Sequence, residues 1–215
     1  MAEILEASCE CPEKDVVERA VSIVRRGGIV VAPTDTLYGI IADPFNPKAV
    51  GRVFRLKRRG WGKPLPLLLG ESHHALLLVK PGKLFWRLAM RFWPGPLTIV
   101  EDPAPALPPH LAEWGPMGIR LPACPLTREI ARRTGGVLVG TSANISGRES
   151  PVTVYESYSQ LGDAVDLYID AGPTRRARPS SVVSIAGGRV EILREGVVGR
   201  EEILGALEGL LDEES

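Results

Sequence analysis

Cysteine, histidine and aromatic residues are all scarce in this chain, and each scarcity closes off a class of function. The 215 residues include three cysteines and three histidines. Cys9 and Cys11 form one close pair, Cys124 stands apart, and His73, His74 and His110 are not spaced to complete a zinc site with them. No structural metal is expected. Aromatic residues make up 6% of the sequence, which leaves a dedicated RNA-binding module short of stacking platforms. Net charge is missing as well. Acidic and basic residues cancel at 26 each, so no global field draws in nucleic acid or an anionic membrane, and any anion site has to be local. The longest apolar runs, residues 65–69 and 75–79, are far too short to cross a bilayer. With no charged-then-apolar leader, the expectation is a cytoplasmic protein without a membrane anchor.

What is present is enough apolar residue, 44% of the chain, to bury a sizeable core. Helical and extended patterns alternate. Val16, Val17, Ala20, Val21 and Val24 recur on one helical face and stop at Gly27-Gly28. Asn46-Pro47 is a cap and first turn for a helix carrying Val50, Val53 and Phe54 inward. Leu84, Phe85, Leu88, Ala89 and Phe92 mark another helix, Leu126 and Ile130 a shorter one, and residues 154–161 one more. Ile203, Leu204, Leu207, Leu210 and Leu211 mark the closing helix. Strands are read at residues 29–32, 65–69, 97–100, 117–121, 137–140 and 167–169, with 179–185 and 190–194 as a pair joined through Gly187-Gly188. The reading is an α/β fold in one domain, residues 1–215 with a core over about 12–211 and no additional C-terminal domain.

Two strands run straight into hydroxyl-bearing loops. Residues 137–140 lead to Thr141, Ser142, Asn144 and Ser146, and residues 29–32 lead to Pro33-Thr34-Asp35-Thr36-Leu37-Tyr38-Gly39. Ser, Asn and Gly also make ordinary turns. In open α/β sheets, however, ligands sit at the carboxyl ends of strands, and two such loops point to one shared cleft. Polar groups stand out elsewhere against apolar surroundings. Lys57 continues the inward stripe of its helix, where it either snorkels outward or faces inward. Arg55, Lys57, Arg58, Arg59 and Lys63 put five cations into ten residues, with Gly60 and Gly62 permitting close backbone approach, which suits a polyphosphate. A second basic turn runs from Arg175 to Arg178. Arg120 interrupts a short apolar strand, so it is either half of a structural ion pair or a carboxylate clamp.

In this order and spacing the chain resembles the YrdC-type L-threonylcarbamoyl-AMP synthases over almost its whole length. The resemblance rests on Pro33-Thr34-Asp35-Thr36-x-Tyr38-Gly39, Lys57-x-Arg59, Trp93-Pro94-Gly95-Pro96-Leu97-Thr98 and Ile119-Arg120-Leu121-Pro122. Ser142-Ala143-Asn144-x-Ser146-Gly147 and Pro179-Ser180-Ser181-Val182-Val183 complete it. It implies a twisted mixed sheet, with flanking helices, around a concave basic cleft. The implied reaction joins L-threonine, bicarbonate and ATP into threonylcarbamoyl-AMP and pyrophosphate, with Mg²⁺ entering alongside ATP and no dedicated protein cage for it. The product would pass to a tRNA threonylcarbamoyl transferase complex, with weak tRNA binding left open. By the same resemblance Thr36, Arg120, Gly140 and Ser180 hold threonine, and Arg59, Lys63, Ser142, Ser150 and Arg194 hold ATP. Lys57, Arg59, Ser142 and Asn144 form the catalytic constellation. As ligand groups rather than structural ones, Ser142 and Asn144 should tolerate alanine within a few degrees of melting temperature, on the order of 1 kcal/mol or less, and Lys57→Met should leave folding unchanged or slightly improved while activity falls. The departures from the pattern are Gly60-Trp61 after Arg59, Leu68 at a position where longer members carry histidine, and Ser181 in place of threonine.

Overall fold

The structure, a computed structural model, describes residues 2–61, 63–174 and 176–208. Gly62, Arg175, Leu210 and Leu211, all used in the sequence reading, lie outside the described residues. Among the described residues seven α-helices are formed. They are α1 (Lys14–Arg25), α2 (Pro47–Lys57), α3 (Lys83–Phe92), α4 (Pro109–Ala112), α5 (Pro125–Arg133), α6 (Val154–Leu161) and α7 (Arg200–Gly205). The strands are β1 (Glu3–Glu6), β2 (Val30–Ala32), β3 (Gly39–Ala42), β4 (Leu67–Leu69), β5 (Leu97–Glu101), β6 (Met117–Arg120), β7 (Val137–Ser142), β8 (Leu167–Asp170), β9 (Ser181–Ser184) and β10 (Glu191–Arg194). All ten join one sheet in the order β1-β8-β2-β3-β7-β4-β6-β5-β9-β10.

Local chemistry accounts for the helix ends. The Asn46 side chain accepts from the backbone N–H groups of Lys48 and Ala49 at 3.0 and 3.3 Å, and Pro47 opens α2 where its missing N–H costs nothing. Thr153 and Glu156 cap α6 reciprocally. The apolar stripe read on α1 is buried throughout.

The sheet has two differently covered faces. Val31, Ile40, Leu67, Ile99, Ile119, Val139, Tyr168 and Val183 point to one of them and form the larger core with Val53 and Phe54 of α2 and Phe85 and Leu88 of α3. Alternate residues point the other way. On that second face Val30, Ile41, Leu68, Leu138 and Leu167 pack under α1 and α5. Beyond β4 those two helices no longer reach. There the alternate positions Gly118 and Arg120, Thr98 and Val100, and Val182 form the bare floor of a cleft, which Gly140 and Ser142 at the end of β7 border.

This geometry corrects the expected placement of the site. The cleft lies across the face of the sheet rather than off a row of carboxyl strand ends. The reason is the mixed pairing: β3 is antiparallel to β2 and β7, β7 is antiparallel to β4, and β6 to β5, so no common carboxyl edge exists. Three elements escaped the sequence reading, namely β1, β3 and α4. Expected strands 29–32 and 65–69 are shorter at their starts, as β2 and β4. Cys9 does not partner Cys11. It forms a disulfide with Cys124, tying the N-terminal segment to the start of α5, and Cys11 is free and exposed.

Candidate active site

The two hydroxyl loops are brought together by sheet register. Gly39 of β3 pairs with Ser142 of β7, and the Ala143 N–H donates to the Tyr38 carbonyl at 2.9 Å. Within the first loop Thr34 Oγ1 lies 3.0 Å from Thr36 Oγ1 and donates to the Leu37 carbonyl at 2.7 Å. Tyr38 is fully buried, its hydroxyl donating to the Gly172 carbonyl at 2.7 Å, and burial pushes its pKa up to about 12. Thr34, Thr36 and Ser142 all line a cleft of about 450 Å³, within the usual size of a small-molecule site.

Behind the β7 loop lies Lys57, only 2% exposed, which settles its orientation as inward. Its ammonium donates to the carbonyls of Ser142 at 2.5 Å and Asn144 at 2.8 Å, and to Asn144 Oδ1 at 3.0 Å. Asn144 Oδ1 also accepts from Ser142 Oγ at 2.6 Å, while its amide donates to the Arg148 carbonyl at 2.6 Å. Burial, and then the charge of Arg59, bring the Lys57 pKa down to about 7. Lys57 and Asn144 therefore shape the loop from beneath, and Ser142 is the member of this group that reaches the cleft.

That arrangement revises one expectation. Asn144 is 5% exposed and its oxygen is shared by two donors, so Asn144→Ala should cost about 1–3 kcal/mol, or roughly 2–10 °C in melting temperature. Ser142→Ala removes one donor that has no other duty in the fold and should stay within about 1 kcal/mol. Thermal unfolding of the two variants without ligand checks this, and equal melting temperatures would refute it.

Arg120 is half of an ion pair and also reaches the cleft. Its guanidinium pairs with Asp35, donates to Thr36 Oγ1 at 2.9 Å and to the Gly95 carbonyl at 3.0 Å, and lines the cleft. Burial lowers its pKa, opposed by Asp35, but arginine stays charged. Three of its five N–H groups are committed, which fixes the plane of the fork.

Two further arginines border the same space. Arg59 donates to the carbonyls of Lys63 at 2.9 Å and Pro64 at 2.7 Å. Arg194 donates to the Ser180 carbonyl at 3.1 Å and to Ser180 Oγ at 3.3 Å, and Ser180 Oγ lies 2.8 Å from Thr98 Oγ1. Burial lowers the Arg194 pKa first and the charge of Arg120 adds to it, so these cations sense each other. Among the described residues neither Arg59 nor Arg194 has a carboxylate partner, and the lining contains no Asp or Glu. The cleft carries a surplus of positive charge that an anion would neutralise.

Thr36, Arg59, Arg120, Gly140, Ser142, Ser150, Ser180 and Arg194 all line the cleft, whereas Lys57, Asn144 and Lys63 do not. Gly140 has a steric role: a Cβ there would lie 2.1 Å from Leu68 Cγ, so the leucine side chain can cross it only because it is glycine. Ser181 is structural. Its hydroxyl donates to the Val198 carbonyl at 2.5 Å and accepts from the N–H groups of Gly196 and Val198, fastening the turn after β10 beneath Ser180. Sequence reasoning missed Asp35 as the partner of Arg120, Thr98 as the partner of Ser180, and Leu193. Thr98 carried a signal, since it alternates with buried Leu97 and Ile99 and so had to face the other way. Among the described residues no group of three or more His, Cys, Asp and Glu side chains could hold a metal ion, and no helix is long and apolar enough to cross a membrane.

The profile of the Sua5/YciO/YrdC family, described as "Telomere recombination", matches residues 22–196. A relative from Mycobacterium tuberculosis is 38% identical over 204 residues, covering 93% of either chain. The threonylcarbamoyl-AMP synthase of Hahella chejuensis is 33% identical, over 81% of this chain and 96% of its own. In three dimensions, Pyrococcus abyssi Sua5 complexed with L-threonine superposes over 95% of this chain with a TM-score of 0.89 and 28% identity. This chain spans 61% of the length of that larger protein.

Proposed function

The chain belongs to the Sua5/YciO/YrdC family, and from that premise we propose that its cleft makes threonylcarbamoyl-AMP from L-threonine, bicarbonate and ATP, for threonylcarbamoyladenosine in tRNA. The observation that carries this reading is the convergence of Arg59, Arg120 and Arg194 on one cleft floored by threonine and serine hydroxyls. Relatives of nearly the same length bear the name threonylcarbamoyl-AMP synthase, which supports it.

Each group has work suited to its chemistry. Arg120, its plane already fixed, offers a fork to the threonine carboxylate, with Thr36 and Ser180 as hydroxyl partners beside it. Arg59, Arg194, Ser142 and Ser150 line the remainder and meet the triphosphate. The threonine amine forms an N–C bond to the bicarbonate carbon as a C–O bond breaks and water leaves, and the resulting carbamate supplies an oxygen that attacks the α-phosphorus. That O–P bond forms as the bond to the β-phosphate oxygen breaks, and pyrophosphate leaves with the electron pair. Orientation and the fixed cations lower the barrier, and no side-chain nucleophile is used. Mg²⁺ would arrive on the phosphates, because the lining offers hydroxyls and no carboxylate cage. The setting proposed is the cytoplasm, and the consumer of the product is a tRNA-modifying transferase.

Pyrophosphate release from ATP should therefore require L-threonine and bicarbonate together. Omission of either should reduce it to background in a coupled phosphate assay, and undiminished release without threonine would overturn the reading.

A further inference from the structure

The last strand of the sheet is irregular where it meets the cleft. β10 pairs Glu191 with Ser184 and Ile192 with Val183, then Arg194 with Val182, so Leu193 is an extra residue set against a single step of β9. In an uninterrupted strand residues 192 and 194 share a face, and Arg194 would follow Ile192 onto the apolar core. The bulge reverses this. Ile192 keeps its place against the core, while Leu193 and Arg194, consecutive in sequence, both line the cleft.

The result is an aliphatic side chain, 51% exposed, beside a guanidinium that Ser180 anchors through two hydrogen bonds. Pro179 and Val182 line the cleft with Leu193 and extend it into an apolar strip. An apolar strip adjoining an anchored cation suits a ligand with a flat apolar ring attached to phosphate. From this juxtaposition we infer that the side chain of Leu193 is the surface on which the adenine ring of ATP packs while Arg194 meets the phosphates. The inference rests on ATP being the nucleotide of this cleft, as proposed above. It makes Leu193 a determinant of nucleotide affinity that acts through contact area, since none of the three strip side chains can hydrogen-bond the ring.

Calorimetric titration of the full chain with ATP, and separately with inorganic triphosphate, tests it. Leu193→Ala should weaken ATP binding about tenfold, the scale of losing half of a leucine's apolar contact, and leave triphosphate binding unchanged. Leu193→Phe restores an apolar plane and should bind ATP at least as tightly as the native chain. ATP binding by Leu193→Ala at native strength would overturn the inference. So would an equal loss for ATP and triphosphate, which would mean that Leu193 acts only by placing Arg194. Threonine-dependent pyrophosphate release by the native chain reports on the underlying function separately. If that release occurs and the Leu193 variants bind like the native chain, only the ring platform falls. If the native chain binds no ATP, both readings fall.

Discussion

Replacing Arg120 by lysine should raise the threonine concentration needed for half-maximal pyrophosphate release about 10- to 100-fold, while the ATP requirement changes several-fold at most. The guanidinium donates at once to Thr36 Oγ1, to Asp35 and to the Gly95 carbonyl, and those bonds set the plane of a fork that lines the cleft. Lysine restores the charge but offers a point donor on a flexible stem, so it cannot satisfy Asp35, Thr36 and a bidentate carboxylate together. The lost bonds to a charged group are worth about 1.5–3 kcal/mol, which sets the range. Steady-state kinetics with one substrate varied at a time measures it. A rise confined to the ATP requirement would move Arg120 to the nucleotide side.

The same pair makes alanine the wrong probe. Asp35 has a side chain 11% exposed, its Oδ1 accepts from Arg120 and from the Ala123 N–H, and its Oδ2 has no hydrogen-bond partner. Removing the guanidinium strands a buried carboxylate, and Arg120→Ala should lose about 3–5 kcal/mol of stability before any kinetic effect can be read.

Arg120 also shows how the sequence can be read and where reading stops. A cation inside Met117–Arg120 had to be paired or ligand-facing; the structure pairs it with Asp35 and also sets it on the cleft lining, an arrangement that one fork with five donors allows. The hydroxyl loops were legible as strand ends carrying polar groups. Their sharing of a cleft could be argued from that pattern, but the pairing that joins them was not legible, since it depends on Gly39–Ala42 forming a strand between β2 and β7. Four residues flanked by a threonine-rich loop and Asp43-Pro44 carry too little period to be told from loop. Strand direction is invisible to periodicity, which is why a cleft on the sheet face was read as one off its carboxyl edge. Leu193 and the Cys9–Cys124 link were out of reach for a related reason. A bulge is defined by the partner strand, and a pairing across 115 residues by the fold.

Lys57→Met should lose stability as well as activity, and the loss of stability is a change from what the helical pattern alone suggested. Treated as a half-buried charge, Lys57 looked dispensable to the fold, and removing it looked neutral or favourable. The structure surrounds its ammonium with three oxygens, two of them backbone carbonyls of the loop that carries Ser142. Methionine keeps the stem's bulk but removes all three donations, leaving the Ser142 carbonyl with the Asn144 N–H at 2.9 Å and depriving the Asn144 carbonyl of its ammonium donor, at a cost of about 2–4 kcal/mol, or roughly 5–15 °C for a chain of this length. Lys57 does not line the cleft, so it works as a positioning residue. Its loss should free the Ser142 loop, lower turnover on the order of 10²-fold and raise the ATP requirement. A pH series separates this role from mere packing. With the folded pKa down at about 7, the unfolded chain binds a proton at Lys57 between about 7 and 10.5 that the folded chain does not. Lys57 therefore contributes most to stability above pH 10.5, and that contribution falls as pH drops towards 7, by up to about 1.4 kcal/mol per unit. The stability gap between native chain and Lys57→Met should widen from pH 7 to pH 10 in chemical denaturation. A flat gap over that window would mean that the three oxygens keep the ammonium charged throughout, and native turnover in the variant would remove Lys57 from the site's support.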